Sequence, residues 1–121
     1  MSERKASDSG GHGRDVAAAP LATRILYEDD QVRIWDQRLA PGDSTATHRH
    51  EHDYALLDVE GERLEVELLE GPHLELLGAG NSTLELPVKR GQVYWVEKGS
   101  VERAVNTGAS SYRGILVEVK T

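Results

Sequence analysis

The chain has 121 residues, room for one domain with a real core and no more. Its formal charge of −7 and pI near 5.2 argue against nucleic acid and against an anionic membrane surface as partners. The absence of cysteine excludes a disulfide framework, a thiol nucleophile and a zinc finger.

Residues 1 to 20 are rich in Ser, Gly, Asp and Ala, with Gly10-Gly11-His12-Gly13 in the middle. Such a stretch cannot bury enough apolar surface to offset its ordering entropy, so a flexible tail is expected, followed by one domain over 21–121. Arg4 and Lys5 have no apolar segment behind them, so no secretory signal is expected. Nor does the sequence hold a run of about 18 apolar residues that would cross a bilayer. The cytoplasm is the default compartment.

From Thr23 the pattern turns to short strands. Ile25 and Tyr27 alternate up to a turn at Asp29-Asp30, and Val32 and Ile34 alternate beyond it, with Trp35 and Leu39 on the other face. Ala40-Pro41-Gly42-Asp43 reads as a turn. A strand at 55–59 ends at Glu60-Gly61-Glu62, which reads as a tight hairpin. Leu64, Val66 and Leu68 alternate with glutamates, as a half-buried antiparallel strand does. Turns around a short apolar piece at 74–77 are expected next, then alternation at Leu84, Leu86 and Val88. A dense strand follows at 93–96, another carries Val101 and Val105, and a last one places Ile115, Val117 and Val119 on one face. No amphipathic helix of useful length is found. Short strands at spacings near ten residues predict an all-β domain, an antiparallel sandwich or small barrel.

His48, His50 and His52 recur at every second position. In an extended strand they would share one face, and imidazole is the commonest neutral metal ligand. A polar strand end whose histidines touch only water is the alternative. Spacing around the pair is more specific. Five residues separate Gly42 from His48, three separate His50 from Tyr54, and six separate Tyr54 from Gly61. Further on, Gly91, Glu97, Gly99, Glu102 and Asn106 form a second constellation.

These two blocks resemble the first and second signatures of the cupin superfamily, interval by interval and in the same order. The resemblance spans roughly residues 24 to 120 and implies a cupin-type jelly-roll barrel of antiparallel strands with a pocket at its mouth. It also implies a divalent metal held by two histidines and a glutamate of the first signature and a histidine of the second. Here Tyr54 stands at the glutamate position, Glu102 at the second-signature histidine, and Glu97 at a proline. His48 and His50 carry over unchanged, and Glu102 completes a candidate set of two imidazoles and a carboxylate. That set suits Fe(II), while Zn, Ni or Mn also fit. His52 and Tyr54 are the candidate catalytic residues, able to position a small-molecule ligand or move a proton.

Two functions of different class follow. One is a metal-dependent enzyme, oxygenase-, isomerase- or lyase-like, acting on a small organic molecule. The other is a non-catalytic cupin with a degenerate pocket, a binding or regulatory module in which Glu102 pairs with a protonated imidazole. The phrase His-Arg-His-Glu-His-Asp-Tyr is similar to that of small cupins tied to the catabolism of amino acids such as β-alanine, but seven residues assign no pathway. Small cupins commonly pair through outer strands, so a homodimer is expected, with Trp35 and Tyr94-Trp95 as the apolar surface.

Overall fold

The computed structural model describes residues 22–71 and 82–120. The tail expected at 1–20 and the apolar piece at 74–77 lie outside them. Among the described residues the chain is all-β: β1 (Arg24–Glu28), β2 (Val32–Leu39), β3 (His48–Arg49), β4 (Asp53–Glu60), β5 (Arg63–Glu70), β6 (Thr83–Pro87), β7 (Val93–Val96), β8 (Val101–Asn106) and β9 (Tyr112–Val119). No described helix is long and apolar enough to cross a membrane.

The strands form a five-stranded sheet, β1-β2-β9-β4-β7, and a four-stranded sheet, β3-β8-β5-β6. Every pairing is antiparallel. The chain crosses repeatedly from one sheet to the other, as a jelly roll does, so residues distant in sequence meet between the sheets.

One such crossing corrects a local expectation. Glu60-Gly61-Glu62 is not a hairpin, because β4 pairs with β7 and β9 while β5 pairs with β6 and β8. Gly61 has φ +135°, and a Cβ there would lie 2.9 Å from Cδ1 of Tyr112. The glycine turns the chain onto the second sheet beneath that ring, where a side chain has neither the space nor the backbone angle.

Facing residues of neighbouring strands share a side of the sheet. Trp35, Leu116, Leu56 and Tyr94 make one inward row across four strands. Tyr27, Ile34, Val117, Ala55 and Trp95 make the adjacent outward row. Ile115, Val117 and Val119 do lie together, but on the half-buried outer side, whereas Tyr112, Leu116 and Glu118 of the same strand are buried. Glu118 is tolerated inside because Trp35 donates to it through Nε1 at 2.6 Å and Arg33 reaches it at 3.4 Å.

Candidate metal centre

The site begins with the two-residue alternation His48-Arg49-His50. β3 is short, and its pairing with β8 sets His48 opposite Glu102 and Arg49 opposite Val101. The ladder runs one step beyond the strand: the amide of His50 donates to the Ser100 carbonyl, and that of Gly99 to the His50 carbonyl, both at 2.9 Å. His48, His50 and Glu102 therefore face the interior together, and all three are buried. Arg49 pairs instead with Glu70 and Arg103 with Glu67, each at 3.2 Å, as alternation requires.

His50 Nε2 lies 3.2 Å from His48 Nε2 and 3.1 Å from Glu102 Oε1. One ligand atom from each of the three residues lies within 4.8 Å of the others. His48 Nδ1 is 2.7 Å from the Ala46 carbonyl. A carbonyl only accepts, so that nitrogen carries the proton and the Nε2 lone pair points at the cluster. Tyr54 stacks its ring on His50 at 4.2 Å between centroids, 21° from parallel. Its hydroxyl donates to Glu102 Oε1 at 3.4 Å.

Protonation states follow from this packing. Burial, then the neighbouring His50, holds His48 below its ordinary range, so it is neutral near pH 7. Burial pushes the Glu102 carboxyl up, but the His50 hydrogen bond and the two imidazoles outweigh it, leaving the group below its ordinary range and ionised. Burial, reinforced by Glu102, drives the Tyr54 phenol well above its ordinary range. Tyr54 thus stays protonated and donates to the carboxylate, which makes it a poor ligand and a good orienting group.

The donor set fits a divalent transition ion. Metal bonds of about 2.1 Å at right angles leave ligand atoms about 3 Å apart, close to the 3.1 and 3.2 Å of the two pairs that share His50, the third pair lying within 4.8 Å. Lone pairs converging at that distance repel unless a proton or a cation sits among them.

The structure does not extend the line of imidazoles to His52. β3 ends at Arg49, and the half-buried His52 lies in a bend before β4, outside the three-residue cluster. Alternation holds only while the backbone stays extended, and here it does not. Asn106, also matched by spacing, is a buried clamp: its Nδ2 donates to the Leu39 and Ser110 carbonyls, each at 2.9 Å.

A cavity of about 340 Å³ opens beside the cluster, within the range of small-molecule sites. His48, His50, Tyr54 and Glu102 form part of its wall, and His52 does not. Sequence reasoning missed Gln37, Tyr94 and Tyr112, which also line it. The signal for Gln37 was a lone amide between Trp35 and Leu39 in an otherwise apolar inward row.

No family model matches the chain. It is 27% identical over 106 residues to the β-alanine degradation protein BauB of Pseudomonas aeruginosa, covering 87% of this chain and all of that one. Among solved structures, it is similar to a cupin domain from Bordetella pertussis Tohama I (TM-score 0.66, 21% identical, 80% of this chain and 90% of that chain). It is also similar to an RmlC-like cupin family protein with a double-stranded β-helix fold from Methanocaldococcus jannaschii (TM-score 0.62, 14% identical, 79% and 76%).

Proposed function

The chain has the cupin fold, and on that frame we propose that it binds one divalent transition metal through His48, His50 and Glu102 and uses it on a small organic molecule. The observation that carries this reading is the convergence of two imidazoles and an ionised carboxylate at 3.1 and 3.2 Å in a buried site. When bound, the ion supplies Lewis acidity toward an oxygen of the ligand. The chain's own residues do the rest. Tyr54 holds Glu102 by its hydroxyl and His50 by its ring face, and the apolar cavity wall keeps bulk water from the ligand. The similarity to BauB, a β-alanine degradation protein, makes carboxylates derived from amino acids the first class to screen.

Elemental analysis of untagged protein tests the metal. Near one equivalent of Fe, Ni, Mn or Zn, lost in Glu102→Ala, supports the reading. Protein that stays metal-free after incubation with all four ions overturns it. One observation favours the second reading, a non-catalytic binding module: buried His50 Nδ1 has no hydrogen-bond partner, whereas a metal-bound histidine usually donates from its other nitrogen.

We further propose a homodimer through the outward face of the five-stranded sheet. Val93 is 60% exposed, Trp95 59% and Tyr27 52%, an apolar surface of the kind that marks an interface. Trp35 takes no part, being buried with its indole on Glu118. Sedimentation at micromolar concentration should give a dimer, and Trp95→Glu a monomer.

A further inference from the structure

The cavity is layered along the strands. Tyr54 belongs to the metal end, Leu56 and Leu116 to a middle row, and Gln37 to the next, through the pairings Gln37 with Gly114 and Gly114 with Asp58. Asp58 lies four steps along β4 from Tyr54, a span of about 13 Å at about 3.3 Å per residue. Leu56, Val66, Leu84 and Leu116 line the middle.

At the distal end the polar groups that line the cavity are uncharged. Gln37 is 6% exposed, and its Oε1 is buried with no hydrogen-bond partner. A buried amide oxygen left without a donor is costly, so such an atom in a cavity wall marks where a ligand donor belongs. Tyr94 stands in the middle row, but its hydroxyl reaches this end, accepting from Gln92 Nε2 at 2.9 Å, which leaves its own proton to donate. Gln92 in turn donates to Asp58 at 3.2 Å, and Tyr112 donates to Asp58 at 3.0 Å. That carboxylate is therefore engaged behind the wall. Among the described residues lining the cavity, none is lysine or arginine.

We propose that the cavity selects an elongated monocarboxylate of roughly six carbons whose far end is an uncharged hydroxyl or amide, held by Gln37 and Tyr94. This rests on the metal reading, since with no cation in the wall only the ion offsets the carboxylate. The apolar middle takes the methylenes, and the distal amide and phenol offer one acceptor and one donor. A second carboxylate at the far end meets no opposite charge, and an ammonium meets only Asp58, whose oxygens are already taken by Gln92 and Tyr112, so both are disfavoured.

Calorimetry on protein first shown to carry metal, with 6-hydroxyhexanoate, hexanoate, adipate and 6-aminohexanoate as probes, tests this. The hydroxy acid should bind about fivefold tighter than hexanoate, one net hydrogen bond. Adipate and 6-aminohexanoate should bind at least about tenfold weaker than the hydroxy acid. Gln37→Leu and Tyr94→Phe should each shrink the ratio of hydroxy-acid to hexanoate affinity, and measurable hexanoate binding shows that the variants are folded. Loaded protein that binds none of the four, that favours adipate, or that keeps its hydroxyl preference in both variants overturns the proposal. Protein that takes up no metal, or binds the hydroxy acid equally well when stripped, fails the metal reading instead.

Discussion

Two buried carboxylates show what sets the site apart. Asp36, with no exposed side-chain surface, is ringed by Arg38 and Arg113 at 2.9 Å and Arg24 at 3.8 Å. Burial pushes its carboxyl up, and the two nearer guanidinium groups more than reverse this, so its charge is matched within the chain. Glu102 is buried too, but its partners are two imidazoles and a phenol. His48 is neutral, and among the described residues no lysine or arginine bonds that carboxylate. Asp36 is finished as a piece of structure, whereas Glu102 is left with charge to share. A chain that can ring one carboxylate with arginines has the means to do so twice, and the region where it does not is where a cation is expected.

Exchanging the two groups should separate their roles most sharply. Glu102→Ala is expected to weaken metal binding by more than about a hundredfold, beyond what outer partners contribute, as read by competition with a chromogenic chelator. Asp36→Ala should leave that affinity in place and cost about 2 kcal/mol of stability in urea denaturation, because three guanidinium groups lose a shared acceptor. Its arginines reach solvent, which keeps the cost below that of a fully enclosed pair. A metal defect in Asp36→Ala would erase the distinction.

Tyr54→Phe should have a smaller effect. It keeps the ring on His50 and removes the hydroxyl from Glu102, so metal affinity should fall about tenfold with little change in folding stability. An unchanged affinity would reduce Tyr54 to packing.

The smallest effect is on pH. His48 is held below its ordinary value of 6.5, so near and below that pH the unfolded chain takes up a proton that the folded chain refuses. Metal-free protein should therefore be most stable above pH 6.5 with respect to this group, and its Tm should fall as pH drops toward the depressed value. In His48→Gln the Tm should vary less over roughly pH 5 to 6.5. An equal slope in both proteins would mean that His48 is not shielded.

Some of this was legible beforehand because period-two alternation is local. It located the strands and put His48 and His50 on one face, and the resemblance to the second cupin signature added Glu102. It failed at His52, where the chain bends, and at Gly61, where the strand passes to the other sheet. Both outcomes depend on which strand lies alongside, which no local pattern records. Gln37 escaped notice for a related reason: a single amide in a strand gains meaning only once the opposite wall is known.

The amino-acid order by itself determined an acidic, cysteine-free, all-β chain whose two histidines and later glutamate keep a fixed spacing. Only the tertiary structure decided that these groups meet at 3.1 and 3.2 Å, with a phenol behind them and a neutral far wall across the cavity. Side-chain alternation is fixed within each strand, but convergence depends on the closure and register of two sheets, and those are settled by the packing of the whole barrel.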